Sequence, residues 1–227
     1  MPALRSQRAA ADFIDRAGFC FLFHQSGLRL DSLWAEVKGP VALTAEAWDQ
    51  DAERLWTWKD RLPLQGRAAY GKYLRRKPTF IGARLLPAFL ASQGHGGDYL
   101  GLYEDGGLSV LAREVASWVE HHGATPVSVL RRRLGGPGRV NRALQELQSV
   151  LLLTHYGVAQ QRSGWPATVI ELLGRAFPAA LQEGREMDPE EGRARILAGY
   201  RARQPDAEAR DAARVLGWRL DEVRAAW

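Results

Sequence analysis

One cysteine, Cys20, stands in 227 residues. That excludes an intramolecular disulfide and a zinc site built on paired thiolates, and it fits a reducing cytoplasm. Long apolar runs are missing too: Phe19 to Phe23 is the longest, against the roughly 20 residues that a membrane-spanning helix needs. Neither a membrane anchor nor a secretory leader is expected. Lysine is scarce, with Lys38, Lys59, Lys72 and Lys77 alone, so arginine carries nearly all the positive charge. The histidines, His24, His95, His121, His122 and His155, show no metal-ligand spacing, and no metal is expected. No Gly-rich phosphate loop follows a strand and no Ser or Cys nucleophile signature occurs. No cofactor is expected.

Acid is lacking in two stretches. Residues 61–97 hold Arg61, Arg67, Lys72, Arg75, Arg76, Lys77 and Arg84 with no Asp or Glu. Residues 123–166 hold Arg131, Arg132, Arg133, Arg139, Arg142 and Arg162 against Glu146 alone, a local balance of +5 that equals the formal net charge of the chain. Residues 98–122 between them are acidic, and 183–227 are nearly balanced. An apolar fraction of 46% provides for a real core. Two cationic blocks flanking an acidic one predict a polyanionic partner, double-stranded DNA before others. Solvated helix faces are the competing explanation.

Periodicity divides the chain into an N-terminal helical region with short strands (1–108), a winged helix (109–178) and a C-terminal helix-turn-helix (179–227). The fold class is mostly α with small β, in a tandem helix-turn-helix and winged-helix arrangement. Residues 4–17 form an amphipathic helix closed by Gly18, and Phe19 to Phe23 a buried strand. Asp31 caps a short helix, Ser32 to Val37, and Ala45 to Arg61 is helical. Ala68 to Leu74 is predicted as a short helix, and Phe80, Ile81, Leu85, Leu86, Phe89 and Leu90 as a helical stripe. Ser109 to His122 is a helix. Thr125 caps the next, with Pro126 at its first position. Arg139 to about Val150 buries Val140, Leu144 and Leu147, with Leu151 beyond. Leu151 to Ala159 and Thr168 to Leu173 are strands joined by the wing. In the tail, Pro189 to Arg201 is helical, Asp206 caps Ala207 to Leu216, and Leu220 to Val223 closes the chain.

Asn141, Arg142, Gln145 and Gln148 face outward from the third helix of the winged unit and suit base-edge readout. Arg131, Arg132, Arg133 and Arg139 suit phosphate, as do Lys72, Arg75, Arg76 and Lys77 in the other block. Arg162 and Trp165 sit at the wing. Trp56, Thr57, Trp58, Lys59 and Asp60 could wall a pocket for an unstacked base, although tryptophans at helical spacing more often fill a core.

The order of parts resembles the bacterial winged-helix DNA glycosylases that unhook interstrand crosslinks, the AlkZ/YcaQ-like family. Phe80 to Phe89 with Leu85-Leu86-Pro87 is similar to that family's aromatic and Leu-Leu-Pro segment. Val115 through Thr168-Val169-Ile170-Glu171-Leu172 to Arg175-Ala176-Phe177-Pro178 resembles its winged helix and the strand and turn after it. Ala212 to Gly217 resembles its C-terminal helix-turn-helix. The resemblance implies a DNA partner, cytoplasmic and nucleoid-associated, and a Gln-x-Gln or Gln-x-Asp pair that positions the attacking water. Aligned by Gly18, Cys20 and Leu22 stand in that pair's place, and neither activates water as a carboxylate or amide would. His24, Gln25 and Asp60 are the substitute candidates. The expectation is a protein that binds damaged or distorted duplex, with catalysis in doubt. An active glycosylase with a displaced catalytic group, and a winged-helix transcriptional regulator or protein-interaction module, are the alternatives.

Overall fold

The computed structural model describes residues 4–39, 41–44, 46–161 and 164–227. The chain is mostly helical, with two small antiparallel sheets. Ser6 caps α1 (Gln7–Ala17) by accepting from the Ala9 amide at 3.1 Å. Gly18 ends it at φ 74°, where an added Cβ would stand 2.8 Å from Leu85 Cδ2. The turn therefore needs glycine for both backbone and space. β1 (Phe19–Phe21) follows, wholly buried. Ser32, not Asp31, caps α2 (Leu33–Lys38). Asp31 instead pairs with Arg203 and accepts from Gln204 at 2.9 Å. Asp49 caps α3 (Gln50–Leu64). The start predicted at Ala45 lies outside the described residues.

The predicted helices after α3 need correction. Ala68–Leu74 is a strand, β2, and Phe80 and Ile81 lie in another, β3 (Lys77–Gly82). β3 pairs with β1 on one side and β2 on the other. The hairpin turn is Arg75-Arg76, both at positive φ, 52° and 59°. Such a two-residue turn is ordinarily announced by Asn-Gly, and Arg-Arg gives no such signal. Pro78 fits a central strand because the register slips beside it. Gly71 faces Thr79 and Leu74 faces Lys77, so Lys72 and Tyr73 bulge opposite Pro78. Only from Leu86 does the apolar stripe become helix, α4 (Leu86–Gln93).

After α5 (Tyr99–Glu104), Ser109 caps α6 (Val110–His122), which ends at Gly123. Thr125 does not cap the next helix. It lies in β4 (Thr125–Pro126), and its hydroxyl donates to the Gly123 carbonyl at 2.7 Å. Pro126 stands just before α7 (Val127–Leu134) rather than within it. α8 (Pro137–Ser149) then leads into the hairpin β5 (Leu153–Ala159) and β6 (Ala167–Leu172), with β6 between β4 and β5. Val140, Leu144 and Leu147 of α8 are buried as their spacing predicts, against Val115, Leu130 and Ile170.

The tail continues through α9 (Leu173–Ala176), α10 (Pro178–Glu186), α11 (Pro189–Arg203), α12 (Ala209–Leu216) and α13 (Leu220–Ala225). Asp206 is not the cap of α12. That helix starts at Ala209, where the Glu208 amide donates to Asp211 Oδ2 at 3.0 Å. α11 crosses α4 at close range: a Cβ on Gly192 would meet the Ala88 carbonyl at 2.7 Å. Ile196, Tyr200 and Val215 consequently share one buried cluster with Phe19, Phe21 and Phe89. Among the described residues no helix is long and apolar enough to cross a membrane.

Candidate nucleic-acid interface

Two sheets meet where β2 approaches α8 and β5. The bulge beside Pro78 takes the Lys72 amide out of the strand ladder, and a backbone N–H left unpaired in protein is costly. It donates to Gln148 Oε1 at 2.9 Å. Next in the chain, the Tyr73 hydroxyl donates to Thr154 Oγ1 at 2.9 Å, and Thr154 Oγ1 in turn donates to the Tyr70 carbonyl at 3.2 Å. Thr154 and Tyr73 are buried. A proline in a central strand thus places the Lys72 side chain beside α8.

The result is a groove of about 520 Å³ between α7, α8 and the β5–β6 hairpin. Asn141, Gln145 and Gln148, spaced i, i+4 and i+7 on α8, form one wall. Lys72 and Arg131 stand at its rim, Val127, Leu144 and Ile170 supply apolar floor, and Trp165 closes the hairpin side. Trp165 is 83% exposed, and the Gln161 amide steadies its turn by donating to the Trp165 carbonyl at 2.7 Å. Arg162 lies outside the described residues.

The outward-facing set on α8 divides in two. Arg142 does not share the groove with its three amide neighbours. It lines a shallower cleft with Arg139, Glu146 and Ser109, where Glu146 Oε2 accepts from the Ser109 hydroxyl at 2.8 Å. Of the three consecutive arginines, Arg131 alone lines the groove, and its guanidinium donates to Asn141 Oδ1 at 2.9 Å. Arg132 and Arg133 are exposed on other faces of α7, as the 100° turn per helical residue demands. Arg75, Arg76 and Lys77 are exposed at the β2–β3 turn. That turn lies about 10 Å along the strand from Lys72, at 3.3 Å per residue. Among the described residues, none of these arginines and lysines pairs with a carboxylate. Arg67, from the same basic block, differs: it holds Asp12 at 3.1 Å and Asp15 at 3.6 Å.

The positions of the catalytic pair are filled otherwise. Cys20 and Leu22 are both fully buried in apolar core with Trp34, Leu55 and Phe80. Burial pushes the Cys20 thiol far above its ordinary range, which keeps it protonated. His24 is exposed at the edge of a cavity of about 420 Å³ lined largely by Phe23, Trp34, Val41 and Leu43. Gln25 spends its amide on the Phe23 carbonyl at 3.1 Å.

Asp60 stands in a denser setting. It pairs with Lys59, and His155 Nε2 of β5 lies 2.7 Å from its Oδ1. Burial alone would raise the Asp60 carboxyl, but hydrogen bonding to His155 and Lys59 outweighs it and holds the group below its ordinary value. Burial also depresses His155, which favours the neutral ring. Tyr70 meets His155 edge-on at 5.4 Å, and the Lys59 ammonium lies 4.2 Å from the Trp56 ring centre. Trp56 and Trp48 pair at the surface, whereas Trp58 is core. The sequence groups Trp56, Lys59 and Asp60 on α3 but offers no local signal for Tyr70 of β2 and His155 of β5, which join them. Among the described residues no group of His, Cys, Asp and Glu side chains is placed to hold a metal ion.

The family described as AlkZ related matches residues 4–217, and the chain belongs to that family. No curated protein and no solved structure matches it significantly.

Proposed function

We propose that this member of the AlkZ-related family binds damaged or distorted duplex DNA, and that residues 109–178 are its winged helix. α6, α7 and α8 are the three helices of that unit, with α8 as recognition helix and the β5–β6 hairpin as wing. One observation carries the reading: the α8 amide stripe, Arg131, Lys72 and Trp165 surround a single groove, and among the described residues no carboxylate neutralises the cations around it. Phosphate contacts come from Arg131, Arg132, Arg133 and Arg139, and base-edge contacts from Asn141, Gln145 and Gln148. Such a protein works at the nucleoid, in the cytoplasm.

Binding to labelled duplex across a salt series tests this. The logarithm of affinity falls against the logarithm of salt by roughly 0.9 per phosphate contacted. A flat response removes the reading. Retention of one promoter sequence, or of a protein and no DNA, would make it a regulator or an interaction module.

A second reading, an active glycosylase, rests on Asp60 as an ionised carboxylate beside an imidazole and an aromatic wall. Its test is the release of abasic sites from alkylated or crosslinked duplex. Product formed by the native chain and lost in Asp60→Asn establishes it. No product above background leaves binding as the whole function, the outcome favoured by the buried Cys20 and Leu22.

A further inference from the structure

Hydrogen bonds already made inside the groove decide what it has left to offer. Asn141 Oδ1 is taken by Arg131, and Gln148 Oε1 by the Lys72 amide. Each carbonyl oxygen is thus engaged, and among the described residues neither NH2 group makes a hydrogen bond, so both donors are left to offer. Among the described residues no Asp or Glu lines the groove. The Asn141–Gln148 side of the groove is thus rich in donors, while Ser128, Gln145, Gln161 and Thr168 carry acceptor oxygens elsewhere on the lining. The floor is apolar, from Val127, Leu144 and Ile170, and the opening is flanked by an indole that is 83% exposed. The volume of about 520 Å³ lies within the roughly 300–1,000 Å³ of sites that hold one small molecule. A paired helix edge offers neither an exposed base face to Trp165 nor anything to fill a concavity.

We infer that the groove between α8 and the β5–β6 hairpin receives one unpaired nucleotide of a duplex, its base stacked on Trp165 and its acceptor edge read by Asn141 and Gln148. This rests on the duplex-binding reading and narrows it to duplexes with an extrahelical base. Lys72 and Arg131 take the phosphate of that nucleotide. The donor array ranks the bases by chemistry. Guanine presents two adjacent acceptors, O6 and N7, on one edge, whereas adenine and cytosine place an amino donor there. An unpaired guanine is therefore the preferred occupant. The pocket is a binding site: Asp60, His24 and Gln25 do not line it.

The test compares three fluorescent duplexes that differ at one position: fully paired, with a single bulged guanine, and with a single bulged adenine. The native chain is expected to bind the guanine bulge about tenfold more tightly than the paired duplex, as stacking of one base on an aromatic ring provides. The adenine bulge should fall between them. In Trp165→Ala the ratio of bulged to paired affinity should drop towards one, with far-ultraviolet circular dichroism unchanged. A 2-aminopurine placed in the bulge should be quenched on binding the native chain and not the variant. Equal affinity for paired and bulged duplex overturns the pocket and leaves duplex binding standing. A bulge preference that survives Trp165→Ala assigns it elsewhere and overturns the site. Equal binding of the two bulges overturns the donor readout. Absence of binding to all three at low salt overturns both this inference and the reading beneath it.

Discussion

Arginines in α7–α8 and arginines in the tail are chemically identical, and the fold treats them differently. In the tail, Arg195 holds Glu191 at 2.6 Å, Arg203 holds Asp31, Arg210 holds Glu208 at 2.9 Å and Arg219 holds Asp221 at 2.7 Å. In α7 and α8, Arg131 bonds to an amide, and Arg132, Arg133, Arg139 and Arg142 hold no carboxylate among the described residues. The tail thus pairs four of its nine arginines with carboxylates, three of them with acids of its own. The five arginines of α7 and α8 keep their charge unpaired by any carboxylate among the described residues. Composition cannot make that distinction, because a guanidinium counts as +1 whether or not an acid sits beside it.

Pairing at its most extreme is found in the Lys59–Asp60–His155 cluster. Lys59 is 6% exposed and its counter-charge is Asp60. Asp60→Ala leaves that ammonium buried without a partner, which costs about 3–5 kcal/mol where a buried pair is broken. A shift of the denaturant midpoint well beyond that of any tail substitution is the expected result. A loss no larger than that of an exposed pair would mean that Lys59 reaches solvent with ease.

Freeing the other set has its effect on binding and not on stability. Arg131, Arg132 and Arg133 replaced together by Ala should lower the salt slope by roughly 0.9 for each phosphate contact removed, and leave the melting temperature within a degree or two. Their three directions around α7 make the count informative. A drop near one contact assigns the backbone to the Arg131 face. An unchanged slope moves the DNA surface to Arg75, Arg76 and Lys77.

How far the sequence foretells this contrast depends on distance along the chain. Helix ends are local, and Gly18, Ser109 and Gly123 mark them as their chemistry predicts, whereas the first helix starts at its Ser6 cap and not at residue 4. The α8 stripe is local too, so Asn141, Gln145 and Gln148 are recoverable from spacing alone. The β2–β3 hairpin is not, since Arg75-Arg76 adopts a conformation that other residues advertise. Asp31, Thr125 and Asp206 are good caps by type, yet each is drawn to another partner or displaced by one a residue or two away. The pairing of Asp60 with His155 and of Tyr73 with Thr154 joins segments more than eighty residues apart. No periodicity carries such information. The groove follows from those contacts, because they bring Lys72 to α8.

Acid should weaken the buried cluster before the surface pairs. His155 has its folded-state value below the ordinary 6.5, and Asp60 has its own below 3.8. In both cases the unfolded chain binds more protons, so both contributions are present above the unfolded value and are lost as pH falls towards the folded one. The His155 window opens first, from about pH 6.5 downward. The denaturant midpoint should decline between pH 7 and 5, and His155→Gln should flatten that decline. An equal decline in the variant would assign the dependence to other groups.

The smallest effect belongs to the tail. Arg195 and Glu191 are each about half exposed, at 52% and 51%, one helical turn apart. Water screens such a pair, and two flexible side chains lose freedom in forming it, so it contributes about 0.3–0.5 kcal/mol. Arg195→Ala should shift the denaturant midpoint by no more than that and leave the salt slope of duplex binding unaltered. This null result is what gives the α7 triple variant its meaning, since both remove arginine from an exposed helix. A lower salt slope in Arg195→Ala would show that a carboxylate within 3 Å does not withdraw a guanidinium from DNA. The distinction between paired and free arginines would then lose its force.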